Sequence, residues 1–62
     1  MNEFEKDLII DLLDYCRKMN KFHYEQSEMY LPSSDVCRYH EIKAECYGEI
    51  INYICNWIEP EV

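Results

Sequence analysis

Pro32 constrains this chain more than any other residue, because one apolar heptad runs up to it and a second leaves it. Proline lacks an amide hydrogen and disfavours helical angles in the residue before it, so Leu31-Pro32-Ser33-Ser34 must break a helix. Before the break, Leu8, Leu12, Tyr15, Met19, Phe22, Gln26 and Met29 recur at alternating steps of four and three residues. That spacing predicts a helix over about 3–30 with a heptad seam. Ile9, Leu13, Cys16 and His23 widen the seam on one side. The opposite stripe is charged throughout: Glu3, Asp7, Asp11, Asp14, Lys18, Lys21, Glu25 and Glu28. Asn2 followed by Glu5 has the spacing of a capping box, and Glu3, Glu5 and Asp7 suit the positive end of the helix dipole.

After the break, Ser33 or Ser34 caps a second helix with Asp35 in its first turn. Val36, Tyr39, Cys46, Ile50, Tyr53 and Trp57 form its seam, with Lys43 the one intruder. His40, Tyr47, Ile51, Ile54 and Ile58 widen it, and Pro60 closes it, giving a helix over about 35–58. So short a connection forces antiparallel neighbours. The expected fold class is therefore all-α, a single-domain antiparallel hairpin of two long helices. Running the helices side by side from the turn sets Leu12 near Ile54, Tyr15 near Ile50 and Ile51, Met19 near Cys46 and Tyr47, and Phe22 near Lys43 and Ala44.

The second helix is apolar over too wide an arc for one neighbour. Arg38, Glu41, Glu45, Glu49 and Glu59 fall within an arc about 80° wide, and one facing helix covers a stripe of roughly 100°. The uncharged flank of Ala44, Gly48, Ile51 and Cys55 predicts a second interface, most simply with another copy in a dimeric four-helix bundle. Ala44 and Gly48, one turn apart, allow close approach of a helix; alternatively Gly48 is a tolerated surface glycine costing about 1 kcal/mol against alanine. With 62 residues the chain is at the size where small domains turn to disulfides, metals or oligomers.

Four cysteines raise the question of a disulfide scaffold. The first residues, Met1-Asn2-Glu3-Phe4-Glu5, contain no basic segment or long apolar run of a secretory signal. Cys16, Cys37, Cys46 and Cys55 sit within apolar periodicities, so reduced thiols and a cytoplasmic location are expected. No stretch reaches the roughly 18 apolar residues of a membrane span. Cys37-x-x-His40 matches half a zinc site, but Cys16 and His23 lie about 10 Å apart along a helix and supply no second short-spaced pair. His23 and His40 follow Asn20 and Cys37 by three residues, not Glu, so the di-iron carboxylate pattern is missing. Gly48 is the only glycine, which excludes a glycine-rich phosphate loop. No cofactor and no catalytic residue is expected, and a metal-binding helical protein is the third functional class after two kinds of binder.

The formal charge of −7 disfavours direct nucleic-acid or anionic-membrane binding and favours a basic protein partner. In the expected hairpin this charge collects at the end carrying both termini. The candidate partner-binding residues there are Glu3, Asp7, Asp11, Asp14 and Glu49. Acids one turn apart are about 6 Å apart, close to the phosphate spacing of a DNA strand. Such a stripe serves a nucleic-acid mimic of the anti-restriction or anti-CRISPR kind, or simply keeps a small protein in solution. The aromatic residues fall mostly on the seams and are expected in the core, with Tyr24 exposed outside them.

The run from Ala44 to Ile54, Ala-Glu-Cys-Tyr-Gly-Glu-Ile-Ile-Asn-Tyr-Ile, resembles the closing helix of short helical-hairpin proteins from phages and prophages of Gram-positive bacteria. The resemblance implies a mobile-element accessory protein that binds or inhibits a host or phage protein. It assigns no functional residue.

Overall fold

The structure is a computed structural model and describes residues 2–58. Two helices pack against each other, α1 (Glu3–Glu28) and α2 (Asp35–Ile58), in a rod of 45 × 18 × 14 Å. Among the described residues there is no strand. The expected stop at Pro60 lies outside the described residues.

Local chemistry sets the helix ends. Asn2 is extended and its side chain accepts the Glu5 amide at 2.8 Å, while its Nδ2 donates to the Glu5 carboxylate at 3.2 Å. This satisfies a donor left over by the first turn and holds the Glu5 charge at the positive end of the dipole. At the other end Met29 caps α1 and its amide bonds to the Gln26 carbonyl, so the helix stops two residues short of the expected position. Ser34 starts α2: its hydroxyl accepts the Cys37 amide at 3.1 Å and donates to the Leu31 carbonyl at 2.8 Å. One hydroxyl thus joins the turn around Pro32 to the cap of α2.

The axial register agrees with the expected one to within about a turn. Asn20 lies level with Ala44, and His23 level with His40. The rotation of the helices about their axes does not agree. The buried residues are Leu13, Cys16 and His23 on α1 and Cys37, Ala44 and Ile54 on α2. The heptad seams lie outside this contact: Leu12 is 51% exposed, Tyr53 75% and Trp57 65%. Leu8, Tyr15, Phe22, Val36, Tyr39 and Ile50 are exposed as well. The helices therefore meet through the flanks of their seams, where Leu13 and Ile54 pack among small or planar side chains. Ala44, expected on a second interface, is covered by α1 of its own chain and is 6% exposed. Its neighbours Gly48, Ile51 and Cys55 are half-buried along the same line. The physical reason is close packing: the small side chains of Cys16 and Ala44 fit the contact between the helices, and Asn20 of α1 reaches across it to donate to the Ala44 carbonyl at 2.7 Å.

Candidate functional site

Because the buried line is known on both helices, the remaining faces can be placed. At about 100° per residue, the α1 seam of Leu8, Leu12, Tyr15 and Phe22 lies to one side of that line. The α2 seam of Tyr39, Cys46, Ile50, Tyr53 and Trp57 lies to one side of its own. The helices are antiparallel, so opposite senses of rotation bring both seams to the same side of the hairpin. Contacts across that rim agree. Tyr15 meets Tyr47 edge-on at 6.4 Å, and Phe22 meets His40 edge-on at 6.4 Å. The other rim is polar, a groove lined by Tyr24, Ser27, Glu28, Glu41, Ala44 and Glu45. The aromatic residues expected in the hairpin core thus form a broad apolar face running over both helices. Its one cation, Lys43, stands 5.7 Å from the centre of the Tyr39 ring and gains from the negative face of the π-system.

The acidic residues are placed differently from one another. Glu3, Asp7, Asp11 and Asp14 are exposed on the outward stripe of α1. Glu49 is also exposed, but helical geometry sets it on the outward side of α2, across the hairpin from the aspartates. The structure therefore brings together the α1 acids and leaves Glu49 on the opposite edge. Among the described residues one ion pair forms, Lys21 to Glu25 at 4.0 Å and well exposed. Such a pair contributes little, and among the described residues Asp7, Asp11 and Asp14 form no ion pair.

A feature that the sequence reading did not assemble lies near the turn. Nδ1 of His23 and Nδ1 of His40 are 2.8 Å apart. One ring must donate its proton and the other must accept it, so at least one is neutral. The His23 ring stacks on Tyr47 at 5.8 Å, and the His40 ring stacks on Tyr30 at 6.0 Å. Burial, then the neighbouring His40, then Lys43 hold His23 below the ordinary histidine range. The axial register was the signal: it already set these two histidines close to one level.

Cys37 lies one turn before His40 but faces elsewhere. Its Sγ is 3.0 Å from the Glu41 carboxylate and 3.3 Å from the Ser27 carbonyl. The bond to Glu41, burial and the Glu41 charge push its thiol up, away from a nucleophilic thiolate. All four cysteines are free. Among the described residues no three His, Cys, Asp or Glu side chains converge on a point that would hold a metal ion. No described helix is long and apolar enough to cross a membrane.

Comparison with protein-family models, curated proteins and solved structures returned no match.

Proposed function

We propose that this chain is a protein-interaction module that works as a homodimer and uses its acidic end on a basic protein partner. In that reading it is a phage or mobile-element accessory protein that binds or inhibits a host or phage protein in the cytoplasm. The observation that carries the interaction reading is the broad exposed apolar face, with Leu12, Tyr53 and Trp57 half exposed or more. A monomeric domain of this size rarely leaves a continuous face of this kind to water, and large exposed patches mark contact sites. Aromatic residues on it are the residue types that dominate binding energy. Binding rather than catalysis also fits the thiol chemistry, since the buried cysteine nearest a histidine in sequence is held protonated by Glu41.

A second reading is a nucleic-acid mimic. It is favoured by Asp7, Asp11 and Asp14, exposed along one stripe with no cation paired to them. Both readings need the stripe, and the partner distinguishes them. The test is capture of partners from bacterial extract by the immobilised chain, compared with a triple Asp7→Asn, Asp11→Asn, Asp14→Asn variant. The expected result is a partner retained at low salt, lost in the variant and lost at high salt. Displacement of that partner by duplex DNA assigns the mimic reading. Identical capture by the variant at low salt overturns the acidic-end proposal.

A further inference from the structure

We propose that the apolar face seats a second copy of this chain, docked head to tail, with the turn end of each hairpin against the terminal end of the other. This rests on the reading of the chain as a self-associating module and adds the surface and its orientation.

Area is the first argument. The chain exposes 5277 Å². A compact monomer of 7.6 kDa exposes about 4,300 Å² by the usual scaling with mass. The excess of roughly 1,000 Å² matches the area of about 800 Å² that each partner buries in a standard interface. Pattern is the second argument. The exposed residues are the heptad positions themselves: Leu8, Leu12 and Tyr15 on α1, and Ile50, Tyr53 and Trp57 on α2. In a four-helix bundle such positions point to the bundle centre, while flanking positions pack neighbouring helices together. The hairpin has filled its flanks and left its centre open. A copy of the same face, related by a two-fold axis, completes it.

Charge fixes the orientation. Among the described residues the terminal end carries Glu3, Glu5, Asp7, Asp11, Asp14 and Glu49 against Lys6. At the turn end, acids and bases balance. A parallel dimer would stack two acidic ends, and would set Lys43 level with its own copy. Head-to-tail docking separates the acidic ends. It also brings Lys43, the one cation on the face, level with Asp11 on the rim of the second copy, where opposite charges attract at short range.

The experiment combines mass and distance on the full chain. Light scattering after size exclusion gives the mass of the wild type, of Tyr53→Glu on the face, and of Tyr24→Glu on the polar rim. The expected result is a dimer for the wild type and Tyr24→Glu, and a helical monomer for Tyr53→Glu. A spin label on a keto-bearing residue at position 33 then reports the turn-to-turn distance without touching the cysteines. Head-to-tail docking predicts a distance of about 40 Å, the length of a 26-residue helix. A parallel dimer predicts less than about 20 Å, two interhelical spacings. If Tyr53→Glu does not fold, the wild type carries the test alone: Trp57 emission shifts to the red as the dimer is diluted apart. A wild type that stays monomeric at tens of micromolar, a dimer indifferent to Tyr53→Glu, or a short distance overturns the proposal. A folded monomer whose partner is still lost on the triple Asp→Asn substitution overturns this inference together with the homodimer, and leaves the partner-binding reading in place.

Discussion

The Asn20 side-chain nitrogen donates to the Ala44 carbonyl at 2.7 Å and lies 3.5 Å from the point where Gly48 would carry a Cβ. This places a polar side chain in the middle of the contact between the helices, satisfied by a backbone oxygen that already belongs to a helix. Asn20→Ala removes that bond, an effect of about 1 kcal/mol. The expected loss in melting temperature is roughly 4–8 °C. An unchanged melt would show that the bond contributes nothing net.

Gly48→Ala should stabilise the protein. A Cβ there makes ordinary van der Waals contact with Asn20, so the gain in helix propensity, up to about 1 kcal/mol, is kept. A lower melting temperature in this variant would mean that the helices approach more closely at Gly48 than the structure shows.

Leu12 and Leu13 are neighbours with opposite roles. Leu13 is 8% exposed in the helix contact, whereas Leu12 lies on the apolar face. Leu13→Asp buries an unpaired carboxylate and should abolish helical circular dichroism at every concentration. Leu12→Asp should weaken self-association and keep the helical signal. Equal loss of helicity from both would show that the two residues share one core.

The histidine pair predicts sensitivity to mild acid. The folded value of His23 is lowered from about 6.5, so below that pH the unfolded chain binds more protons than the folded one. Its contribution is therefore full above about 6.5 and is lost as pH falls toward the folded value. The facing groups are His40 and Lys43, both of which oppose a second positive charge. Urea midpoints measured across this range should fall for the wild type and stay flatter for His23→Gln. Parallel curves would exclude the pair as the acid-sensitive element.

Thiol reactivity reads the placement of the cysteines. Cys46 is exposed, Cys55 half-buried, and Cys16 and Cys37 buried. A thiol reagent under native conditions should label Cys46 first and Cys37 last, since Cys37 is both buried and held as the thiol by Glu41. Cys46 lies on the apolar face, so its labelling should slow as protein concentration rises. Rapid labelling of Cys37 would contradict the packing of the turn end.

The starts of the helices were legible in the sequence because capping chemistry is local. Asn2 with Glu5, and Ser34 after Pro32, act over three or four residues, and the structure uses both as expected. The axial register followed from the short turn for the same reason. The rotation about each axis was not legible. A heptad of large side chains marks an apolar face, but where apolar residues span most of the circumference it does not say which part meets the neighbouring helix. Here the small buried side chains of Cys16 and Ala44 mark the contact, together with the polar tie from Asn20. The His23–His40 contact leaves no motif along the chain, because it joins residues seventeen apart across the hairpin and depends on the rotation of both helices.

The turn also dictates how the chain folds in time. Cys37 reaches the Ser27 carbonyl ten residues away, His40 reaches His23 seventeen away, and Ala44 reaches Asn20 twenty-four away. Each contact closes only a short additional loop once the one before it has formed, so loop-closure entropy is met in small instalments. Such a ladder of contacts zips from Pro32 outward, with the rapid folding typical of local helical topologies. The acidic terminal end closes last and frays first, and hydrogen exchange should be fastest there.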